Sequence, residues 1–218
     1  MNAYLKMVSM YGLRWYKKYL PLNVFYFQRA NIATLNGVNN NFNNHIVWLD
    51  MEMTGLDVQT CRIMEVACVV TDKDLNIVGN ELNIVIHQPN TILDNMNKWN
   101  TQQHESTGLI NESRLSKITI QDAEKILLNH LKTYVEEGVS PLAGSSVYMD
   151  RIFLQKYMPT VDNYLHYRLI DTSTIKELIK IWNLNIPMFK KGHRHRALAD
   201  IKESIQELEY YKKNLFHS

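Results

Sequence analysis

The sequence predicts an α/β domain, a mixed five-stranded sheet flanked by helices on both faces. Three observations carry that expectation: strand-like runs lead the domain, one strongly periodic helix follows, and two short strand-helix units close it. Length agrees, because 218 residues with 45% hydrophobic composition can bury one sizeable core.

The domain opens at residues 46–56, an apolar run that reads as a buried strand and contains two acids, Asp50 and Glu52. Residues 62–71 read as a second strand, 72–74 as a tight turn and 75–87 as a third strand, so the sheet starts as an antiparallel hairpin. Residues 119–122 have the form of a capping box. Behind it Ile120, Ala123, Leu127, Leu131 and Tyr134 recur at helical steps until Gly138. Residues 141–147 read as a short buried strand, 151–158 as a helix halted by Pro159, 165–170 as the last strand and 174–182 as a helix. The final helix spans about 196–215. Leu198, Ile201, Ile205, Leu208, Tyr211 and Leu215 form its core stripe, with Asp200 at the stripe's edge.

Charge separates two parts of the chain. Residues 1–49 contain Lys6, Arg14, Lys17, Lys18 and Arg29 and no acid; of the 24 basic residues 19 therefore remain to face all 22 acids, a body of net charge −3. Such a body does not advertise the basic groove that tracks long nucleic acid. The basic and aromatic leader, followed by Asn-rich residues 36–44, reads as an N-terminal extension over 1–44 with a mitochondrial transit peptide and linker; a cytoplasmic protein with a plain extension is the alternative. The domain proper is expected over 45–218. Two cysteines, Cys61 and Cys68, provide neither a disulfide framework nor zinc spacing, and no run approaches the ~18 apolar residues of a membrane span.

Asp50 and Glu52 are two apart on a strand, so their carboxylates share a face while Leu49, Met51 and Met53 turn the other way. Burying ionised carboxylates without a partner costs several kcal/mol, and no Lys or Arg lies within the strand, so the pattern calls for a hard cation. Asp150 and Asp200 stand where element ends can bring them to the same place. Four acids can hold two metals that clamp a phosphodiester, and His195, five residues before Asp200, supplies a proton acceptor. His193 has no partner at zinc spacing and reads as solvated; Glu65 reads as a peripheral hydrogen-bonding group. Asp57, Asp72 and Asp74 read as turn or exposed acids.

The segments Trp48-Leu-Asp-Met-Glu-Met-Thr-Gly-Leu56, Asp150-Arg-Ile-Phe-Leu154, His166-Tyr-Arg168 and His195-Arg-Ala-Leu-Ala-Asp200 resemble oligoribonucleases, exonucleases of ribonuclease H-like fold. The similarity continues through Trp99-Asn100 and Lys156-Tyr-Met-Pro159 and omits only the leader. It implies that Asp50, Glu52, Asp150 and Asp200 bind two Mg²⁺ or Mn²⁺ and that His195 is the general base. The related subgroup with a catalytic tyrosine places it four positions before the last Asp, where this chain has Arg196. The resemblance further implies Leu56 as a wedge between two bases, Trp99 and His104 near the substrate, and Ser146, Arg168 and Ser173 around a 5′ phosphate. Tyr167 would reach across a homodimer. The implied activity is 3′-to-5′ hydrolysis of very short oligoribonucleotides, dinucleotides above all, to 5′ mononucleotides. A DNA-directed exonuclease of the same superfamily and a non-catalytic nucleic-acid-binding protein of the same fold are the rivals. One departure stands out: in Gly144-Ser-Ser-Val-Tyr-Met149 the family's usual Asn after Gly and its polar residue before the Asp are absent.

Overall fold

The computed structural model describes residues 44–192 and 195–216. The leader expected over 1–44, apart from its last residue, and His193 lie outside them. Strands β1 (Ile46–Met53), β2 (Ile63–Thr71), β3 (Leu82–Val85), β4 (Leu142–Gly144) and β5 (Leu169–Asp171) form one sheet in the spatial order β3, β2, β1, β4, β5. The hairpin half is antiparallel; β1, β4 and β5 run parallel.

Alternation along the central strand builds both layers. Val47, Leu49 and Met51 enter the larger core, against Leu127 and Leu131 of α4 (Ile120–Tyr134) and Phe153 and Leu154 of α5 (Tyr148–Tyr157). Trp48 points to the opposite face, where Ala197, Ile201 and Ile205 of α8 (Ala197–Leu215) cover it, and its indole N–H donates to Thr71 Oγ1 at 2.9 Å. Asp50 and Glu52 continue the Trp48 face beyond the apolar contact. Gly144 makes the β1–β4 approach possible there, since a Cβ would sit 2.9 Å from the Leu49 carbonyl oxygen.

Several elements differ from the sequence-based expectation, among them the last strand, which runs over Leu169–Asp171 rather than 165–170. The third strand is confined to Leu82–Val85 rather than 75–87, because Asp72 Oδ1 accepts from the N–H groups of Asp74 and Asn76, and Leu75 and Gly79 take positive φ. Helices α1 (Asn90–Leu93), α2 (Lys98–Ser106) and α3 (Leu109–Leu115) occupy a stretch without strong apolar periodicity; α2 buries only Asn100 and His104. The fourth strand ends at Gly144, not near Val147, because Ser146 turns the chain at φ 57°. Helix α5 therefore begins earlier than expected and takes Asp150 into its first turn. Pro159 ends that helix and also opens α6 (Pro159–Tyr164), where its missing N–H costs nothing. Helix α7 (Thr172–Ile181) follows β5 directly, and the capped start of α4 is as expected, with Thr119 Oγ1 accepting from Asp122 N–H at 3.1 Å.

Candidate active site

Three elements deliver the acids. β1 presents Asp50 and Glu52 side by side, and the register with β2 slips just after Glu52, a bulge at the lip of the site. Asp150, buried in the first turn of α5, reaches back to β1, where its Oδ1 accepts the Met51 N–H at 2.9 Å. Asp200 lies in the first turn of α8, and His195 precedes that helix by two residues in a left-handed conformation, φ 51°. Ligand atoms of Glu52, His195 and Asp200 all fall within 4.8 Å of one another.

Burial and like charge shift three of the four acids upward. Burial, then repulsion from Asp150, Glu52 and Asp200, raises Asp50 well above the usual carboxylate range, with Lys191 opposing. Burial and the charges of Asp200, Glu65 and Asp150 push Glu52 up to about 8. Asp150 also reaches about 8, chiefly through burial, although the N–H groups that it accepts from, its own and that of Met51, pull the other way. Hard oxygen donors that repel one another fit divalent cations, which remove the repulsion and the desolvation cost together.

The approach of α8 depends on a residue given only a peripheral role by its sequence position. Glu65 lies directly opposite Glu52 and is fully buried. Its carboxylate accepts from Asn83 Nδ2 at 3.0 Å, from Arg196 Nη2 at 2.7 Å and from the Ala197 N–H at 3.1 Å. Glu65 thus caps α8 in place of Arg196, whose own side chain makes no cap bond. Arg196 extends the brace to Glu112 at 2.8 Å, and the Glu65 hydrogen bond raises its pKa. The sequence signal for this brace is an acid inside an apolar strand paired with an arginine beside the histidine.

Beside the acids runs a cleft of about 460 Å³ lined by Glu52, Leu56, Trp99, Asn100, His104 and His195, among others. Leu56 and Trp99 are exposed, and the Trp99 ring meets His195 edge-on with centroids 6.1 Å apart. His104 is buried: one ring nitrogen bonds the Met53 carbonyl at 2.9 Å and the other lies 3.8 Å from Glu52 Oε2. Burial lowers its pKa, which keeps it neutral near the acids. Asn100, capped by Asn97, donates to the Thr54 carbonyl at 3.1 Å and ties α2 to the cleft wall.

Ser146 and Ser173 meet at 3.5 Å between hydroxyls. Asp171, absent from the sequence-based site, gathers them: its Oδ1 accepts from the N–H groups of Ser146 and Ser173, both at 2.9 Å, and from the Ser173 hydroxyl at 2.6 Å. Arg168 lies over the exposed Tyr167 ring, 5.5 Å from its centroid. Met149 is half-buried against the larger core. Of the turn acids, Asp57 and Asp72 accept local N–H bonds at 2.9 and 2.8 Å, and Asp74 pairs with Lys73 at 2.6 Å.

Comparison with known proteins identifies the family. The exonuclease family of RNase T type matches residues 47–208. A Drosophila melanogaster protein named "Probable oligoribonuclease" is 47% identical over 173 residues, 78% of this chain and 82% of its own length. The oligoribonuclease of Haemophilus ducreyi is 47% identical over 173 residues, 79% of this chain and 94% of its own. Among solved structures, exonuclease I from Methylocaldum szegediense superposes with a TM-score of 0.63 at 15% identity over 79% of this chain, a likeness of fold. This chain spans 41% of that enzyme's length. With a family match across most of the domain and near-half identity to oligoribonucleases, the chain belongs to the oligoribonuclease branch of the exonuclease family.

Proposed function

We infer that the protein is a 3′-to-5′ exoribonuclease that hydrolyses very short oligoribonucleotides to 5′ mononucleotides. One observation carries the chemistry: Glu52, Asp200 and His195 converge within 4.8 Å beside a cleft walled by exposed apolar side chains. Asp50, Glu52, Asp150 and Asp200 would hold two divalent cations, Mg²⁺ or Mn²⁺. Bound there, the cations supply Lewis-acid charge to the phosphodiester oxygens. His195 takes the proton of the attacking water, and Trp99 at its edge limits where the ring can lie. Leu56 and Trp99 pack on the terminal bases. His104 acts from behind the wall by holding the Met53 carbonyl next to Glu52. The hydroxyls of Ser146 and Ser173, with Arg168, receive the 5′ phosphate, and Tyr167 is assigned to the interface of a homodimer.

A preference for short strands is supported by the likeness to oligoribonucleases and by the acidic body, which offers little to the backbone of a long strand. A series of 5′-labelled oligoribonucleotides tests it: the rate should peak sharply at two nucleotides, and a rate flat with length contradicts the assignment. Parallel RNA and DNA dinucleotides should favour RNA. The leader's basic, acid-free composition supports a mitochondrial destination for the 45–218 domain, to be checked by mass spectrometry of the mature N-terminus.

A further inference from the structure

We propose that Tyr157 is a positioning residue that sets affinity for the terminal nucleotide by pinning the loop that carries Leu56, an inference that rests on the exonuclease reading above. Residues 54–62 leave β1 just beyond Glu52 and return to β2. Leu56 remains 69% exposed at the cleft although hydrophobic burial favours its folding back onto the surface, so the loop must be held.

The restraint lies on α5. Tyr157 Oη is within hydrogen-bonding reach of the Val58 and Cys61 carbonyls, at 2.9 and 2.7 Å, and accepts from Arg62 Nη1 at 2.8 Å. Lys156 Nζ donates to the Val58 carbonyl at 2.8 Å and to Gln59 Oε1 at 2.9 Å. Arg62 and Lys156 also lie over the Tyr157 ring, 5.5 and 5.2 Å from its centroid, and the buried Phe153 stacks on it at 5.9 Å. Inside the loop, Thr54 Oγ1 accepts the Arg62 N–H at 3.0 Å, and Gly55 lets Cys61 close in where a Cβ would meet its sulfur at 2.7 Å.

One helix therefore serves two ends of the site. Its first turn supplies Asp150 and its last residue, Tyr157, fixes the loop that places Leu56, so a rigid helical span of about 10 Å sets the position of a base relative to the acids.

Tyr157→Phe removes one hydroxyl and keeps the ring stack. It should raise KM for a dinucleotide about tenfold, the usual scale of one lost hydrogen bond, with kcat changed less than about twofold. In a Leu56→Ala background the same substitution should leave KM where that change alone puts it, because Tyr157 acts through that side chain. Amide hydrogen exchange of residues 54–62, read without substrate, should quicken in Tyr157→Phe. An unchanged KM, a loss confined to kcat, full additivity with Leu56→Ala, or unaltered exchange overturns the proposal. A wild-type chain that binds metal but never cuts a dinucleotide defeats the exonuclease reading instead, and the exchange measurement still decides whether Tyr157 pins the loop.

Discussion

At the residue scale, function rests on groups that are costly where they stand. Burial pushes Asp50, Glu52 and Asp150 upward, and the charges of neighbouring acids add to it, Asp150 and Asp200 at both Asp50 and Glu52, and Asp171 at Asp150. Asp50→Ala or Asp200→Ala should abolish dinucleotide hydrolysis while leaving the folded state intact, as followed by circular dichroism, since each removes a charge that repels the neighbouring acids. His195→Ala should lower kcat by ~10²-fold or more and spare Mn²⁺ affinity, the split expected of a general base. A fall in metal affinity equal to the fall in kcat would make His195 a ligand instead. The two-residue spacing of Asp50 and Glu52 was legible in the sequence because strand geometry alone aims both side chains one way. Asp171 was not, because its work is to collect two serines through backbone N–H groups, and no residue pattern announces such bonds.

At the element scale, the placement of α8 decides whether Asp200 and His195 meet β1. Glu65 and Arg196 perform that placement from β2 and the helix start. Arg196→Ala leaves Glu65 buried without its cation and should cost about 3–5 kcal/mol in urea unfolding, the usual scale for breaking a buried pair. Glu112→Gln, which loosens only the half-exposed arm of the same brace, should cost under about 1 kcal/mol. Equal losses would mean that burial of Glu65 is not what makes Arg196 matter. Strong periodicity made α4 readable from its apolar steps. Helix α2 escaped that reading because its buried face consists of Asn100 and His104, which bond to carbonyls of the cleft instead of entering a core. The over-long third strand has a comparable cause: a β-rich run yields to Asp72 and two left-handed residues, a local hydrogen-bonding choice that outweighs strand propensity.

At the scale of the molecule, stability and metal binding are linked through the acid cluster. Glu52 and Asp150 have folded pKa values near 8, above the ordinary carboxylate value that the unfolded chain shows. The folded state therefore holds protons more tightly, and its stability is fullest below the unfolded value and declines as pH rises toward 8. In chelator, the thermal midpoint should fall between pH 6 and pH 8 by about 2–4 °C or more, a shift on the scale of 1 kcal/mol for a chain of this size. Saturating Mg²⁺ or Mn²⁺ should restore the midpoint at pH 8 and flatten its pH dependence. The mixed five-stranded sheet with helices on both faces was legible in the order of strand and helix patterns, whereas the spatial order that puts the acid-bearing β1 in the centre was not, because strand pairing depends on contacts distant in sequence. A homodimer should appear as twice the chain mass of 25.6 kDa in sedimentation equilibrium, and Tyr167→Ala should shift that equilibrium toward monomer.

The central claim is that four carboxylates from β1, α5 and α8 form one cage for divalent cations. Calorimetric titration of chelator-stripped protein with Mn²⁺ at pH 7, repeated in buffers of different ionisation heat, tests it directly. Two ions should bind per chain with release of protons, because Glu52 and Asp150 carry them at that pH until the metal arrives. Absence of binding, or binding that Asp50→Ala and Asp200→Ala leave undiminished, would contradict it.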